Sequence, residues 1–485
     1  MTGFTFVHAA DLHLDAPFRG LGGVAAARPE DRKRLEGILR EATFTALERL
    51  VELCIAQQAD FLLLAGDVYN SEESSLRARL ALRDAFIRLA EAGIAVFMAH
   101  GNHDPLGVDD GVIPWPANVT VFGPEVSTCR AFAGQVGGEP EGQREGRDRV
   151  PVALVSGISH TNARESRNLA RFFKTGGTDP LDPGLFRIGL LHCSLADLSG
   201  GHDNYAPCTF GDLAEAGLDY WALGHVHARR LLDRQGGTLE ENSPVPPLAA
   251  YSGSLQGLHV NEAGPHGCLL ARVDGRGGLT VRPVPLAPVQ WEQVDMEPGP
   301  ELTSIPALEE LIMDRLEALA PRPPDPEDDS ARSPFAVPVR LTLKGRSPID
   351  HVLRKPGAIE ALQEHLAGEL SGSGVFLRDL IVNTRPPVDM QTVLARPDLA
   401  GEALRAARGL LEDPEALTEL AGRALAPLFR KNRVRKAIEP PADGELLALV
   451  DEAAFLCLDL LGPEPESEAD AWPDVGPDAG AEGEN

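Results

Sequence analysis

Short apolar runs and longer helical stripes alternate along the first 290 residues of the chain. Runs at 4–9, 60–64, 95–99, 152–157, 187–191 and 220–223 are each followed by a turn or a polar residue, the mark of buried strands. Between the first two, residues 32–57 place Leu35, Ile38, Leu39, Ala42, Leu47, Leu50, Val51 and Leu53 at helical spacing. A second helix over 76–92 separates the second and third strands. This alternation predicts a layered α/β domain with buried sheets. Residues 249–287 read as closing antiparallel strands with a turn at 275–278.

The pattern changes after 290. Residues 300–388 read as helix (305–320), strand (337–343), helix (348–370) and strand (375–382), a small α+β unit. Residues 390–461 are mostly helical, and the stretch 445–461 is too apolar for a free solvated helix, so it packs on its own domain or on a partner helix. Two insertions, a Gly/Glu/Arg-rich one at 134–149 and a Pro/Asp-rich one at 321–334, read as surface loops. The acidic, Pro/Gly-rich segment 462–485 is expected to be disordered.

The net charge of −28 weighs against a simple nucleic-acid binder, which usually shows a basic face. Its distribution softens that reading: residues 437–485 hold 14 Asp or Glu and no Lys or Arg, half of the excess. Just before them, Arg430, Lys431, Arg433, Arg435 and Lys436 form the strongest basic cluster, either a set of DNA-backbone contacts or a solvated helix end. The six cysteines include no C-x-x-C pair, which argues against a zinc ribbon or a disulfide framework and for buried thiols. No apolar run approaches the roughly 18 residues that cross a bilayer. The N-terminus lacks a basic region and a cleavage site, so a cytoplasmic location is expected.

The chemistry lies where the strands end. Asp11 and His13 follow the first, Asp67 the second, Asn102, His103 and Asp104 the third; His192 and then His225 and His227 follow two later ones. Functional groups of layered α/β domains gather at such carboxyl ends. Asp, Asn and His without thiolate suit Mn, Fe or Zn better than Ca or a structural zinc cage. Seven ligands are too many for one ion and suit two that share a carboxylate. Such a pair, about 3.5–4 Å apart, clamps both oxygens of a phosphoryl transfer and acidifies water into a nucleophile. Of the other histidines, His8 reads as core and His100 as support, and His160 is a weaker candidate for phosphate contact.

The ordered series D-x-H, G-D, G-N-H-D, H, G-H-x-H resembles the calcineurin-like metallophosphoesterase superfamily. Within it, Ala10-Asp11-Leu12-His13-Leu14-Asp15, Ala65-Gly66-Asp67-Val68-Tyr69, Leu223-Gly224-His225-Val226-His227 and Tyr251-Ser252-Gly253-Ser254 are similar to the nuclease subunit of bacterial SbcCD complexes and its YhaO-type relatives. The resemblance covers 1–290, and 300–388 fits a capping domain by pattern. It implies a four-layer α/β sandwich, two mixed β-sheets flanked by helices, with a small α+β capping domain and a helical C-terminal region. It implies that Asp11, His13 and His227 bind one metal, that Asn102, His192 and His225 bind the other, and that Asp67 bridges both. His103 would be general acid or transition-state stabiliser. Relatives often carry His or Asp three residues after the bridging Asp to orient that histidine; here Asn70 stands there, and Asp104 is the alternative.

The implied function is a metal-dependent DNA exonuclease subunit with two divalent ions, Mn2+ first among them. Its implied partners are DNA, a coiled-coil ATPase gripped by the C-terminal helical segment, and a second copy of the chain. Two other readings stay open: a phosphatase or cyclic-nucleotide phosphodiesterase acting on a small substrate, and a DNA-end-sensing scaffold with a structural metal site.

Overall fold

The computed structural model describes residues 2–18, 29–70, 75–107, 113–133, 150–173, 184–196, 205–241, 243–322, 332–430, 441 and 443–461. The insertion at 134–149, most of the one at 321–334, the segment 462–485 and Lys431, Arg433, Arg435 and Lys436 lie outside them. The chain divides into two compact units, 1–386 and 387–485.

In the first unit, β1 (Phe4–Ala9), β2 (Phe61–Ala65), β3 (Ala95–Ala99) and β4 (Val119–Val121) run parallel in a six-stranded sheet. A seven-stranded sheet contains β5 (Ser127–Ala133), β6 (Val150–Gly157), β7 (Phe186–His192), β8 (Tyr220–Gly224), β9 (Arg230–Leu232), β10 (Thr238–Leu239) and β11 (Ala249–Tyr251), in the order β10-β9-β11-β8-β7-β6-β5. The first sheet is completed by β12 (Gly267–Val273) and β13 (Leu279–Pro285), antiparallel beside β1.

Both faces of the central strands are buried, and alternation decides which side chain goes where. Phe4 and Phe6 of β1, with Phe61 and Leu63 of β2, meet Ile188, Leu190, Tyr220 and Ala222 of the other sheet. Val7, Leu62 and Leu64 point the opposite way, onto α1 (Pro29–Ala56) and α2 (Leu76–Glu91). On the outer face of the second sheet, Leu191, Trp221 and Leu223 pack with Leu213 of α3 (Phe210–Glu215). The result is helix, sheet, sheet, helix: the four-layer sandwich with two mixed sheets. His8 is buried between the sheets, donating from Nε2 to the Leu223 carbonyl (3.2 Å) and accepting from the Tyr220 hydroxyl (3.0 Å). Burial drops its pKa to about 3, so it is neutral.

A third sheet, all parallel, joins β14 (Glu292–Met296), β15 (Val337–Leu343) and β16 (Val375–Val382). Its Val294, Val339, Leu341 and Leu377 pack on α4 (Ile305–Glu317), α5 (Asp350–Leu353) and α6 (Ala358–Glu369). Three details differ from the sequence expectation. The β14 strand precedes residue 300; only Val294 of its five residues is fully buried, too few to form a visible apolar run. The helix expected over 348–370 breaks after Leu353, where Pro356 and Gly357 (φ 78°) interrupt it. Finally, β11 is not a closing antiparallel strand beside β12: it runs parallel to β8 and antiparallel to β9.

The second unit contains α7 (Met390–Ala395), α8 (Leu399–Glu412), α9 (Pro414–Phe429) and α10 (Asp443–Leu461). Ala400, Leu404, Ala454 and Leu458 form its buried centre.

Candidate metal centre

The expected ligands come from the ends of five central strands, and backbone pairing brings those ends together. The loop after β1 zips onto the loop after β2: Asp11 N donates to Gly66 O (3.0 Å), His13 N to Asp67 O (3.1 Å) and Leu14 N to Val68 O (3.1 Å). Asp104, fully buried, holds the β2 and β3 loops against each other. Its carboxylate accepts from the backbone N–H of Asp67 (3.1 Å), Val68 (2.9 Å) and Gly101 (2.7 Å).

The turns are tight enough to force unusual backbone. Asp11, His13, Asp67 and His225 have φ of 51°, 43°, 52° and 102°. Such strain in non-glycine residues persists where the surroundings over-determine it, often at functional sites. Gly66 has φ 89°, and a Cβ there would lie 2.5 Å from Nδ1 of His192. Glycine is therefore required by conformation and by space.

Side-chain atoms then converge. Asp11, His13 and His227 offer ligand atoms all within 4.8 Å of one another, and so do Asp11, Asp67 and His192. Nε2 of His13 lies 3.2 Å from Nε2 of His227. Nε2 of His192 lies 3.0 Å from Asn102 Oδ1 and 3.3 Å from Asp67 Oδ2. The remaining ring nitrogens fix the tautomers. Nδ1 of His192 donates to the Ala65 carbonyl (2.9 Å), Nδ1 of His227 to Glu262 (2.7 Å) and Nδ1 of His13 to Asn70 Oδ1 (2.8 Å). Each Nε2 thus presents a lone pair to another lone pair or to a carboxylate. Acceptors facing acceptors in a buried site require a cation between them, a proton or a metal. The donor set, imidazole nitrogen with carboxylate and amide oxygen, fits first-row divalent ions.

The charges tell the same story. Burial opposes the Asp67 carboxylate, yet facing His192, with His13 and His103, holds it well below the usual range. Burial lowers His192, and Asp67 outweighs it, raising that ring to about 9. Burial likewise lowers His227, which the Glu262 carboxylate and Asp11 raise to about 9. Asp11 itself is pushed up by burial, against the pull of His192 and His227. His13 is lowered, chiefly by burial.

The other expected residues fall as follows. The His225 N–H donates to both carboxylate oxygens of Asp11 (3.1 and 3.0 Å), while its ring lies edge-on to those of His192 (5.3 Å) and Tyr205 (5.5 Å), outside the groups that converge. His103 is exposed; its N–H donates to Asp67 Oδ1 (2.8 Å) and its ring stands edge-on to His13 at 5.0 Å. Asn70 serves His13 rather than His103, because the loop pairing sets it beside the β1 turn. Asp104 supports backbone amides. His100 lies 3.4 Å from Asp104. His160 is buried and donates from Nε2 to the His192 carbonyl (2.7 Å), a support for that ligand's backbone. Arg430 follows α9, and the rest of its basic cluster is outside the described residues. Glu262 is a participant that sequence reasoning misses: it stands 35 residues from His227 in no recognisable spacing. Only its place soon after the Tyr-Ser-Gly-Ser turn, whose Ser254 N donates to His227 O (3.0 Å), points to it.

A four-layer sandwich with clustered Asp, Asn and His at its strand ends defines a metal-dependent phosphoester hydrolase. The chain belongs to the calcineurin-like phosphoesterase family, whose model matches residues 4–229. It is 33% identical over 374 residues to the uncharacterized metallophosphoesterase YhaO of Bacillus subtilis, covering 76% of this chain and 79% of that one. It is 28% identical over 377 residues to the SbcD component of the nuclease SbcCD of Rhodobacter capsulatus (69% and 83% covered). It is 28% identical over 256 residues to the DNA double-strand break repair protein Mre11 of Aeropyrum pernix (53% and 54%). Among the described residues, no helix is long and apolar enough to cross a membrane.

Proposed function

We propose that the chain is a metal-dependent DNA exonuclease subunit, hydrolysing phosphodiester bonds in DNA repair or DNA-end processing. The observation that carries the chemistry is the convergence of the His13, His192 and His227 lone pairs with Asp11, Asp67 and Asn102 beside an exposed His103. The choice of DNA is supported by two relatives, a nuclease component and a DNA double-strand break repair protein. Asp11, His13 and His227 would hold one divalent ion and Asn102, His192 and His225 another, with Asp67 shared. Two such ions, Mn2+ in our reading, would supply Lewis acidity and a water acidic enough to attack phosphorus near neutral pH. Asn70, Ala65 O and Glu262 keep the three imidazoles in the ligating tautomer. The exposed His103 imidazole carries the proton to the leaving oxygen.

DNA and a coiled-coil ATPase are the partners of this reading, the latter bound by the helices of 390–461, with the phosphoesterase unit pairing as a homodimer in the cytoplasm. The acidic sum of −28 favours a second reading, a phosphodiesterase for small substrates. Digestion of end-labelled duplex and single-stranded DNA with Mn2+ separates them. Wild-type cleavage, lost in Asp67→Asn and His103→Ala, supports the nuclease. Hydrolysis of a chromogenic phosphodiester with intact DNA supports the small-substrate enzyme.

A further inference from the structure

We propose that Glu262 is a positioning residue for the metal centre, fixing His227 as a lone-pair donor and tying that half of the site to the turn at 257–264. The inference rests on the two-cation reading above and adds to it a residue outside the ligand set.

Glu262 divides its carboxylate between two donors. Oε1 accepts from Nδ1 of His227 (2.7 Å), and Oε2 accepts from Leu258 N (2.6 Å). Its own backbone is held as well: Glu262 N donates to His259 O (2.8 Å). Glu262 O accepts from Nε2 of His266 (3.1 Å). Nδ1 of His266 pairs with Ser254, 2.9 Å from its hydroxyl and 3.1 Å from its carbonyl, and Ser254 N donates to His227 O (3.0 Å). The hydrogen bonds close a circuit from His227 through Glu262, His266 and Ser254 back to His227. A side chain merely capping a turn would need only the Leu258 contact.

The second contact has a chemical consequence. With its proton committed to a carboxylate, Nδ1 cannot ligate, so Nε2 keeps the lone pair toward His13 and Asp11. A charged partner also raises the basicity of the imidazole, which strengthens its bond to a cation. His13 has only the neutral Asn70 in the equivalent place, and His192 only a carbonyl. Glu262 therefore gives His227 the strongest outer support of the three.

The test is calorimetric titration of the full-length, chelator-treated chain with Mn2+, beside thermal unfolding of the same metal-free samples. Wild type is expected to take up two ions. Glu262→Ala should weaken one of the two by roughly 10–100-fold. Glu262→Gln can still accept the Leu258 N–H but has no charge; it should unfold like wild type yet bind that ion more weakly. If both variants bind two ions as wild type does, the proposal is overturned. The same holds if Glu262→Gln restores binding in full, since the residue would then only shape the turn. A wild-type chain that takes up no divalent ion instead removes the metal reading beneath the proposal.

Discussion

Asp11, His13 and Asp67 sit in left-handed backbone, which costs an L-residue on the order of 1–2 kcal/mol each. The hydrogen bonds of Asp104 and the paired β1 and β2 loops offset that cost. At Gly66 the margin is gone, because a Cβ would meet the His192 ring. Gly66→Ala is expected to lose about 2 kcal/mol in urea denaturation and to weaken metal uptake. Asn70→Ala should lower metal affinity about tenfold or more by freeing Nδ1 of His13. Because Asn70 does not reach His103, the pH profile of the remaining hydrolysis should keep its shape. Outside the ligand set, Glu165 accepts three bonds from Arg167, and this partner lowers its pKa to about 2. A carboxyl whose folded pKa is depressed adds stability above its unfolded pKa of about 4.3 and loses it as pH falls toward 2. Arg167→Met should therefore narrow the stability gap to wild type between pH 6 and pH 2.5 by urea denaturation; the size, on the order of 1 kcal/mol, is small because the guanidinium faces water. The ligands themselves were legible because each lies within a few residues of a strand end. Their supports were not: Asn70 could face either of two histidines, and Glu262 reaches His227 only through the fold.

Among the elements, α1 does more than cover a sheet. Its Arg49 is buried, with guanidinium N–H groups donating to Leu286 O (3.0 Å) and Ser333 O (3.0 Å), and it lies over the Phe335 ring at 4.4 Å. Leu35, Leu39 and Ala42 of the same helix pack with Val289, Ala336 and Phe376. One helix thus binds the six-stranded sheet to the three-stranded one. Arg49→Met keeps the aliphatic stem but strands two carbonyls, and should cost roughly 2 kcal/mol by denaturant titration. The strands that are apolar on both faces could be read from sequence, since a continuous run such as Phe61–Ala65 has no other use. Edge strands such as β5, whose burial alternates with exposure, and β14, with one fully buried residue, leave only a weak pattern. Their places come from pairing partners distant in sequence.

For the whole molecule, the two units rest on very different cores. The first buries aromatic and aliphatic side chains in several large clusters, whereas the described residues of 387–485 show one small cluster around Ala400, Leu404, Ala454 and Leu458. Leu404→Ala should lower hydrogen-exchange protection in α8, α9 and α10 and leave Mn2+ binding unchanged, because each unit has its own centre. The fold class was legible because alternating strands and helices admit few layered solutions. The limit of the catalytic unit was not, since composition changes near 290 while the structure does not divide there. Trp291 Nε1 donates to Gly257 O (2.9 Å), and Gln293 Nε2 donates to Val260 O (2.8 Å). Both acceptors lie on the turn that carries Glu262. A chain cut at 290 would keep every ligand motif and lose the brace behind one of them. The phosphoesterase half is therefore not portable by itself: an ancestor or a laboratory that transplanted it would have to bring β14 along, or find another way to hold the turn.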